Sequence, residues 1–202
     1  MGSARAWLVD LDGTLYHAAP VKLAMALEVA LLGLRAAPAL RRFRAEHEIV
    51  RASGAQATGS PFETQLAGAA AALATDVATL RGVVEEWMVR RPGKWLWLAR
   101  RRGLLSELAR FRAAGGKSAL VSDYPARAKL AALGATALFD AVVAAGEPSG
   151  PPRLKPSPEG YLAAATHLGV DPAECLVIGD REDADGEAAR RAGMAFRRVS
   201  GL

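Results

Sequence analysis

Short apolar runs alternate with longer helical patterns over most of the chain. The runs at 7–9, 119–121, 139–144 and 176–178 are typical of buried strands, and a fifth at 195–199 is typical of an edge strand. Helical patterns lie between them at 104–114, 126–133, 158–168 and 183–192. This alternation predicts an α/β fold, in which helices cover both faces of a parallel sheet.

One long segment breaks the alternation. Residues 21–88 show helical patterning without a convincing strand, with candidate helices at 21–34, 39–51, 62–74 and 76–89. Gly, Ser and Pro residues punctuate the segment near positions 53 and 60. We therefore predict two domains. The first is an α/β core of residues 1–16 and 95–202, and the second is a small α-helical cap of residues 17–94.

Composition narrows the class of protein. With 202 residues, 51% hydrophobic and 23% charged, the chain can form one sizeable domain or a core with a smaller insert. The first apolar run is cut short by Asp10, and the run at 24–34 is too short to span a bilayer, so neither a secretory signal nor a spanning helix is expected. The single cysteine, Cys175, cannot form an internal disulfide, which fits a cytoplasmic location.

Positive charge is concentrated in one stretch. The formal net charge is +5, and between Arg90 and Arg112 eight basic residues face one acid, Glu107. Such a cluster attracts nucleic acid, acidic lipid or phosphorylated metabolites. The simpler interpretation is a solvated face, and no nucleic-acid partner is expected.

Bulky apolar residues lie beside this basic stretch: Trp87, Met88, Trp95, Leu96 and Trp97. We favour packing between cap and core as their role. The alternative is an amphipathic surface that contacts a membrane face or a lipid-like phosphate.

Two aspartates follow the first strand, in the segment Asp10-Leu11-Asp12-Gly13-Thr14. Because side chains alternate in an extended chain, Asp10 and Asp12 point the same way. Gly13 would let the backbone turn tightly and approach a ligand. Two convergent carboxylates suit a metal ion and acid/base chemistry, and an aspartate can also attack phosphorus. The alternative is a solvated Asp-Gly turn.

Three further segments carry candidate chemistry. Ser122 ends the second strand, Lys155 stands in a proline-flanked loop, and Asp180 follows the fourth strand with Asp185 five residues later. Each has a simpler alternative: a strand cap, a solvated lysine, and the acidic first turn of a helix. Hard oxygen ligands favour Mg²⁺ over zinc, and the three histidines, His17, His47 and His167, show no metal-ligand spacing.

Taken in order, these four segments resemble the motifs of the haloacid dehalogenase-like hydrolase superfamily. Residues 10–14 are similar to its first motif, Ser122 to the second, Lys155 to the third and residues 179–185 to the fourth, while Gly193 falls where the family usually has glycine. The resemblance covers more than half of the chain. It implies a Rossmann-like core, and the helical insert resembles the family's helical cap.

The resemblance implies a magnesium-dependent phosphatase. Asp10 would attack phosphorus and form an aspartyl-phosphate, and Asp12 would protonate the leaving oxygen and then activate water. That reversal of roles requires a carboxyl pKa well above the free value of about 3.9. Phosphatases and phosphomutases of the superfamily have an aspartate at the position of Asp12, whereas haloacid dehalogenases do not. Phosphonate-cleaving members use a cap lysine, and here the cap and its border offer only Lys22 and Lys94.

Ligand and substrate contacts are also implied by the resemblance. Mg²⁺ would be held by Asp10, the main-chain carbonyl of Asp12 and Asp180, with Asp185 orienting the metal site. Ser122 and Lys155 would hold phosphate oxygens. The remaining candidate substrate contacts are Thr14, Tyr16, His17 and Asp123. Asp123 departs from the amide that many relatives with this cap carry, so it could repel phosphate or bind a different leaving group.

Three functions remain open from the sequence. The leading one is hydrolysis of a small-molecule phosphate monoester. A phosphomutase acting on a sugar phosphate shares every motif. A non-catalytic basic binding module on the same fold is the third, and the intact set of candidate catalytic residues argues against it.

Overall fold

The computed structural model describes residues 4–54, 59–148 and 150–199. Five parallel strands form one sheet: β1 (Ala6–Val9), β2 (Lys117–Ser122), β3 (Ala141–Ala144), β4 (Cys175–Gly179) and β5 (Ala195–Arg198). Their order is β3-β2-β1-β4-β5, so β1 is central. The predicted α/β class and parallel sheet are confirmed.

The third strand is shorter than predicted, because it begins at Ala141 rather than at residue 139. A 3₁₀ turn, Thr136–Leu138, precedes it. Asp140 then bonds to β2 in both directions: its N–H donates to the carbonyl of Ser118 at 2.8 Å, and its carboxylate accepts from the N–H of Ser118 at 2.9 Å. This local pairing replaces the first ladder positions of the expected strand.

Nine α-helices are present in the described part of the chain: α1 (Ala18–Leu32), α2 (Ala37–Ser53), α3 (Pro61–Ala72), α4 (Val77–Val84), α5 (Gly93–Ala99), α6 (Arg102–Ala113), α7 (Arg127–Leu133), α8 (Glu159–Leu168) and α9 (Glu187–Arg191). Two predicted helices contain π-helical turns, since α4 continues through Glu85–Arg90 and α9 is preceded by Glu182–Gly186. Ser60 and Asp76 cap α3 and α4 by accepting backbone N–H bonds.

Alternating residues of β1 face two separate cores. Leu8 packs with Val177 and Tyr161 on the side of α8 and α9. Val9 packs with Leu96 and Leu130 on the side of α5 and α7. Each fully buried large apolar side chain contributes about 1.5–3 kcal/mol. The sheet is therefore fixed on both faces, which is typical of parallel sheets.

The cap has a core of its own, in which Phe43, Phe62, Leu66 and Leu80 are buried. Two residues from loops of the α/β layer, Ala145 and Leu154, belong to the same cluster. Apolar contacts therefore join the cap to the loops at the carboxyl edge of the sheet.

Helix α5 was not predicted, and it spans the proposed domain boundary between residues 94 and 95. The helix packs on both α1 and α7, and its Leu96 is fully buried. An antiparallel bridge joins Tyr16 to Arg100. The two segments that connect the α/β layer to the cap therefore run beside each other at these residues. The division into core and cap remains a proposal, for which this bridge suggests a second boundary near residue 100.

The tryptophan-rich segment is largely used for packing. Trp87 is buried, with the guanidinium of Arg91 4.2 Å from its ring centre. The indole N–H of Trp95 donates to Glu28 of α1 at 2.8 Å. Trp97 is 48% exposed. No single helix in the described ranges is long and apolar enough to cross a bilayer, although two sharply bent helix pairs reach the length and hydropathy of a span together.

Candidate active site

The carboxyl edge of the sheet gathers the candidate residues. Asp10 follows β1, Ser122 ends β2 and Asp180 follows β4. Because parallel strands end at the same edge, these side chains come together without any long-range adjustment. The N–H of Asp10 donates to the carbonyl of Ile178 at 2.9 Å, which fixes the first aspartate to the neighbouring strand.

Lys155 links two buried aspartates. Its Nζ donates to Oδ1 of Asp10 at 2.5 Å and to Oδ1 of Asp185 at 2.8 Å, and a third bond runs to the carbonyl of Val121. Burial would lower the pKa of Lys155, but Asp10 and Asp185 hold it well above its ordinary value. The lysine is therefore a fixed positive charge beneath the two carboxylates.

Three carboxylates form one cluster. Single oxygen atoms of Asp10, Asp180 and Asp185 all lie within 4.8 Å of one another. Lys155 is the cation bonded to two of them, so the cluster keeps an excess of negative charge. Burial raises the pKa of Asp10 to about 8, Lys155 opposes that rise and Asp185 adds to it. Burial and Asp185 likewise raise the pKa of Asp180. This donor set fits a divalent cation that prefers oxygen ligands.

Gly13 allows the first and fourth motifs to approach each other. It has a φ of +96°, and a Cβ at this position would lie 2.2 Å from Oδ2 of Asp180. Any larger residue would both strain the backbone and displace the carboxylate. The sequence predicted that Gly13 lets the backbone approach a ligand, and in the structure the group that it approaches is the carboxylate of Asp180.

Asp12 lies outside the carboxylate cluster and has different partners. Both of its oxygens accept from Nζ of Lys129, at 2.7 and 2.9 Å. The hydroxyl of Tyr16 donates to Oδ1 at 2.5 Å. Burial alone would raise the pKa of Asp12, but Lys129 and Tyr16 bring it below its ordinary value. These contacts therefore oppose the raised pKa that donation of a proton requires.

Two of the proposed substrate contacts lie elsewhere. Thr14 is fully buried, and its hydroxyl donates to Oδ2 of Asp10 at 2.9 Å, so it supports the first aspartate instead of facing the cavity. His17 precedes α1, and its N–H donates to the carbonyl of Ala99 at 2.9 Å. Neither residue belongs to the cavity wall formed by the described residues.

Ser122 and Asp123 have separate roles at the end of β2. The hydroxyl of Ser122 accepts from the N–H of Tyr124 at 3.1 Å, which leaves its own proton for a ligand. The carboxylate of Asp123 accepts from the N–H of Lys155 at 3.1 Å and from Arg51 of α2 at 3.4 Å. Asp123 is therefore an acceptor for the lysine loop and for the cap.

A cavity of about 520 Å³ lies above these residues, between cap and core. This volume suits a small molecule. Its core side includes Asp10, Asp12, Ser122, Lys155 and Asp180, and its cap side includes Lys22, Met25, Arg44, His47, Arg51 and Trp87. His47 of α2 stacks on Tyr124 with ring centres 4.4 Å apart, and both rings line the cavity.

Three residues of the site escaped the sequence analysis. Lys129 had a detectable signal, because it occupies the apolar stripe of α7 that also contains Leu130 and Leu133. Tyr161 is fully buried in α8 and donates to Oδ1 of Asp185 at 2.8 Å. Arg51 carries no distinguishing signal in its helix, since its role depends on how the cap is placed.

Comparison with known proteins agrees with this arrangement. Residues 4–193 match the family model of haloacid dehalogenase-like hydrolases. Fructose-1-phosphate phosphatase YqaB of Escherichia coli K12 is 46% identical over 71 residues, which are 34% of this chain and 35% of that protein. The match thus spans about a third of the length of that curated relative.

Solved structures extend the likeness to nearly the whole chain. A haloacid dehalogenase-like phosphatase from Thermococcus onnurineus superposes with a TM-score of 0.66 at 21% identity, over 97% of this chain and 86% of that one. A β-phosphoglucomutase from Clostridium difficile superposes with a TM-score of 0.61 at 21% identity, over 98% and 85%. At these identities the two structures establish a common fold. Together with the family match over residues 4–193, they lead to one conclusion: the chain belongs to the haloacid dehalogenase-like hydrolases.

Proposed function

We propose that the protein is a magnesium-dependent phosphatase that hydrolyses a small-molecule phosphate monoester through an aspartyl-phosphate on Asp10. The observation that carries the proposal is the contrast between two neighbouring carboxylates. Both line the cavity, but Asp10 is bonded to Lys155 within the carboxylate cluster, whereas Asp12 is bonded to Lys129 outside that cluster. Two carboxylates in different environments suit two different roles.

Asp10 is the nucleophile in this mechanism. Its Oδ2 is held by Thr14 and its Oδ1 by Lys155, so the carboxylate is oriented before substrate arrives. One oxygen forms a bond to phosphorus as the bond from phosphorus to the leaving oxygen breaks. Lys155 and the hydroxyl of Ser122 bind phosphate oxygens and stabilise the charge that develops on them.

A magnesium ion would be held by the carboxylates of Asp10 and Asp180 and by the main-chain carbonyl of Asp12. When bound, it supplies positive charge that offsets the repulsion between these carboxylates and a phosphate dianion. Asp185 contributes orientation, because its oxygens already accept from Lys155, Tyr161 and the N–H of Arg181.

Asp12 moves the protons. The leaving oxygen keeps the electron pair of the broken bond and takes a proton from Asp12. Asp12 then removes a proton from the water that attacks phosphorus. The bond between phosphorus and the Asp10 oxygen breaks, so that inorganic phosphate leaves and Asp10 recovers its carboxylate. Burial would raise the pKa of Asp12, but Lys129 brings it below its ordinary value, which favours the second, basic role. An incoming phosphate dianion adds negative charge beside Asp12 and works to raise its pKa, which is the direction that the first role requires.

The substrate is a small phosphorylated molecule. Positive side chains on the cap side, Lys22, Arg44 and Arg51, favour an anionic ligand, while Met25 and Trp87 offer apolar contact. The cavity volume of about 520 Å³ favours a metabolite over a nucleic acid. A single buried thiol at Cys175 fits a reducing compartment, and we propose the cytoplasm as the location.

Phosphate release from a panel of phosphate monoesters, with Mg²⁺ and with EDTA, tests the proposal. We expect release that requires the metal and that disappears in Asp10→Asn. Asp76→Asn is the matched control, because Asp76 caps α4, is not among the described residues that line the cavity, and asparagine caps equally well. It should retain wild-type rates.

Three results would overturn the proposal. Release that continues in EDTA or in Asp10→Asn would exclude Asp10 as the metal-assisted nucleophile. Conversion of a sugar phosphate into its isomer without release of phosphate would establish the phosphomutase instead. Salt-dependent binding of nucleic acid without turnover of any ester would establish the binding module.

A further inference from the structure

Lys129 is buried at the site without belonging to any of the four motifs. It stands in the first turn of α7, is 7% exposed, and places Nζ 2.7 and 2.9 Å from the two oxygens of Asp12. Among the described residues the only other buried lysine is Lys155. A buried ammonium is costly unless its partner is well placed, and here the partner is the proposed acid/base residue.

Tyr16 completes the environment of the same carboxylate. Its hydroxyl donates to Oδ1 of Asp12 at 2.5 Å, while its ring is buried in the core and its backbone pairs with Arg100. Burial raises the pKa of Tyr16 well above its ordinary value, so the hydroxyl stays a donor. The side chain of Asp12 is nevertheless 29% exposed, because one edge is open to the cavity.

We propose that Lys129 and Tyr16 are positioning residues that aim the carboxyl group of Asp12 at the leaving oxygen of the substrate; this rests on the proposed phosphatase function. Donors on two elements, α7 and the segment after β1, fix both oxygens of one carboxylate. A free aspartate at a cavity wall would rotate among several rotamers, and each misaligned rotamer removes proton transfer from the transition state.

The dependence on leaving group distinguishes positioning from simple structural support. An alkyl alcohol must receive a proton as its bond to phosphorus breaks, whereas p-nitrophenolate departs as a stable anion. The ratio kcat/KM reports only the steps up to loss of the leaving group. A misaligned Asp12 should therefore reduce kcat/KM for an alkyl phosphate while kcat/KM for p-nitrophenyl phosphate changes little.

The experiment measures kcat/KM with Mg²⁺ for p-nitrophenyl phosphate and glycerol 2-phosphate in wild type, Lys129→Met and Tyr16→Phe. We expect the alkyl ester to lose roughly 10- to 100-fold in Lys129→Met, a part of the roughly 10²- to 10⁴-fold that general acid catalysis contributes, and the aryl ester to stay within about threefold. Tyr16→Phe keeps the ring. Its loss of kcat/KM should again be larger for the alkyl ester than for the aryl ester, but smaller than in Lys129→Met. Lys129→Arg should recover part of the loss.

Lys94→Met is the matched control, since Lys94 is 63% exposed and pairs with Glu28 away from the cavity wall. Equal losses for both esters, or no loss for either, would overturn the positioning role and leave the phosphatase proposal intact. If Lys129→Met does not fold, Tyr16→Phe alone decides. An equal loss of kcat/KM for the two esters in that variant would overturn the positioning role. Failure of the wild type to hydrolyse any ester of the panel with Mg²⁺ would overturn both proposals.

Discussion

Arg51 of α2 reaches across to Asp123 at the end of β2, with Nη2 3.4 Å from Oδ2. The two side chains are 14% and 12% exposed, so the pair is mostly shielded from water. Asp123 also accepts from the N–H of Lys155, which connects the cap, the second motif and the lysine loop through one carboxylate. The residue that departs from the family pattern is therefore used to join cap and core.

Asp123→Asn should weaken substrate binding with little effect on the chemical step. Asparagine keeps an oxygen for the N–H of Lys155 but removes the charge that attracts Arg51. If the pair contributes about 1 kcal/mol to holding the cap against the core, KM rises about fivefold, because a smaller fraction of the protein keeps the cap over the cavity. Steady-state kinetics with a good substrate measures the change.

Glu63→Gln is the control for that substitution. Glu63 pairs with Arg81 inside the cap, and both side chains are far more exposed than Asp123. KM should stay within about twofold, as expected for an exposed pair. A drop in kcat in Asp123→Asn without a change in KM would contradict the joining role.

Gly13→Ala should abolish turnover. Alanine at a φ of +96° costs about 1–2 kcal/mol, and its Cβ would lie 2.2 Å from the carboxylate of Asp180. Displacement of Asp180 removes a proposed metal ligand, so we expect at least roughly a 100-fold loss of kcat/KM and weaker Mg²⁺ binding by calorimetry. Gly169→Ala has a similar backbone strain, at a φ of +61°, with no atom within 4 Å of the new Cβ. Equal loss of activity in both variants would attribute the effect to strain alone.

The sheet and its site residues were predictable for one physical reason. Strands in a parallel sheet end at a common edge, so Asp10, Ser122 and Asp180 had to meet once their apolar runs were recognised as strands. Lys155 and Asp185 lie on segments that return to that edge, and the family resemblance named them. Their mutual bonds are visible only in three dimensions.

Residues that reach the site from helix faces were harder to predict. Lys129 faces Asp12 because α7 packs against the sheet with its apolar stripe inward, and Arg51 faces Asp123 because of how α2 sits in the cap. Hydrophobic periodicity predicts which face of a helix is buried, but it does not predict which residues that face contacts. Thr14 was assigned to substrate, and its bond to Asp10 depends on the tight turn at Gly13.

Tyr161→Phe tests how much the hydroxyl of Tyr161 contributes to stability by donating to Asp185, while the charge of Asp185 is kept. The fully buried hydroxyl donates to Oδ1 of Asp185, and its removal leaves that oxygen with Lys155. A hydrogen bond to a charged group contributes about 1.5–3 kcal/mol, so the free energy of unfolding should fall by about that amount. Thr166→Ala removes an exposed hydroxyl from the same helix and should change it by less than about 0.5 kcal/mol. Urea unfolding of the metal-free protein measures both changes in the free energy of unfolding. Equal changes in the two variants would show that the hydroxyl of Tyr161 contributes no more than an exposed one.

Magnesium binding should strengthen as pH rises. Burial raises the pKa of Asp10 to about 8, so in the metal-free protein this carboxyl is largely protonated below that pH, and the metal must displace the proton. A raised carboxyl pKa means that the folded state binds more protons than the unfolded state between about pH 4 and 8. The stability of the metal-free protein should therefore fall across that window, and Mg²⁺ should offset the fall.

Thermal unfolding with and without MgCl₂ at pH 5.5, 6.5, 7.5 and 8.5, values chosen to span this window, should show a metal-induced increase in Tm that grows with pH. Calorimetry in two buffers should detect release of about one proton per bound metal at the lower pH values and less at pH 8.5, beyond the pKa. An increase in Tm that is the same at all four pH values would show that Asp10 is already ionised before the metal binds.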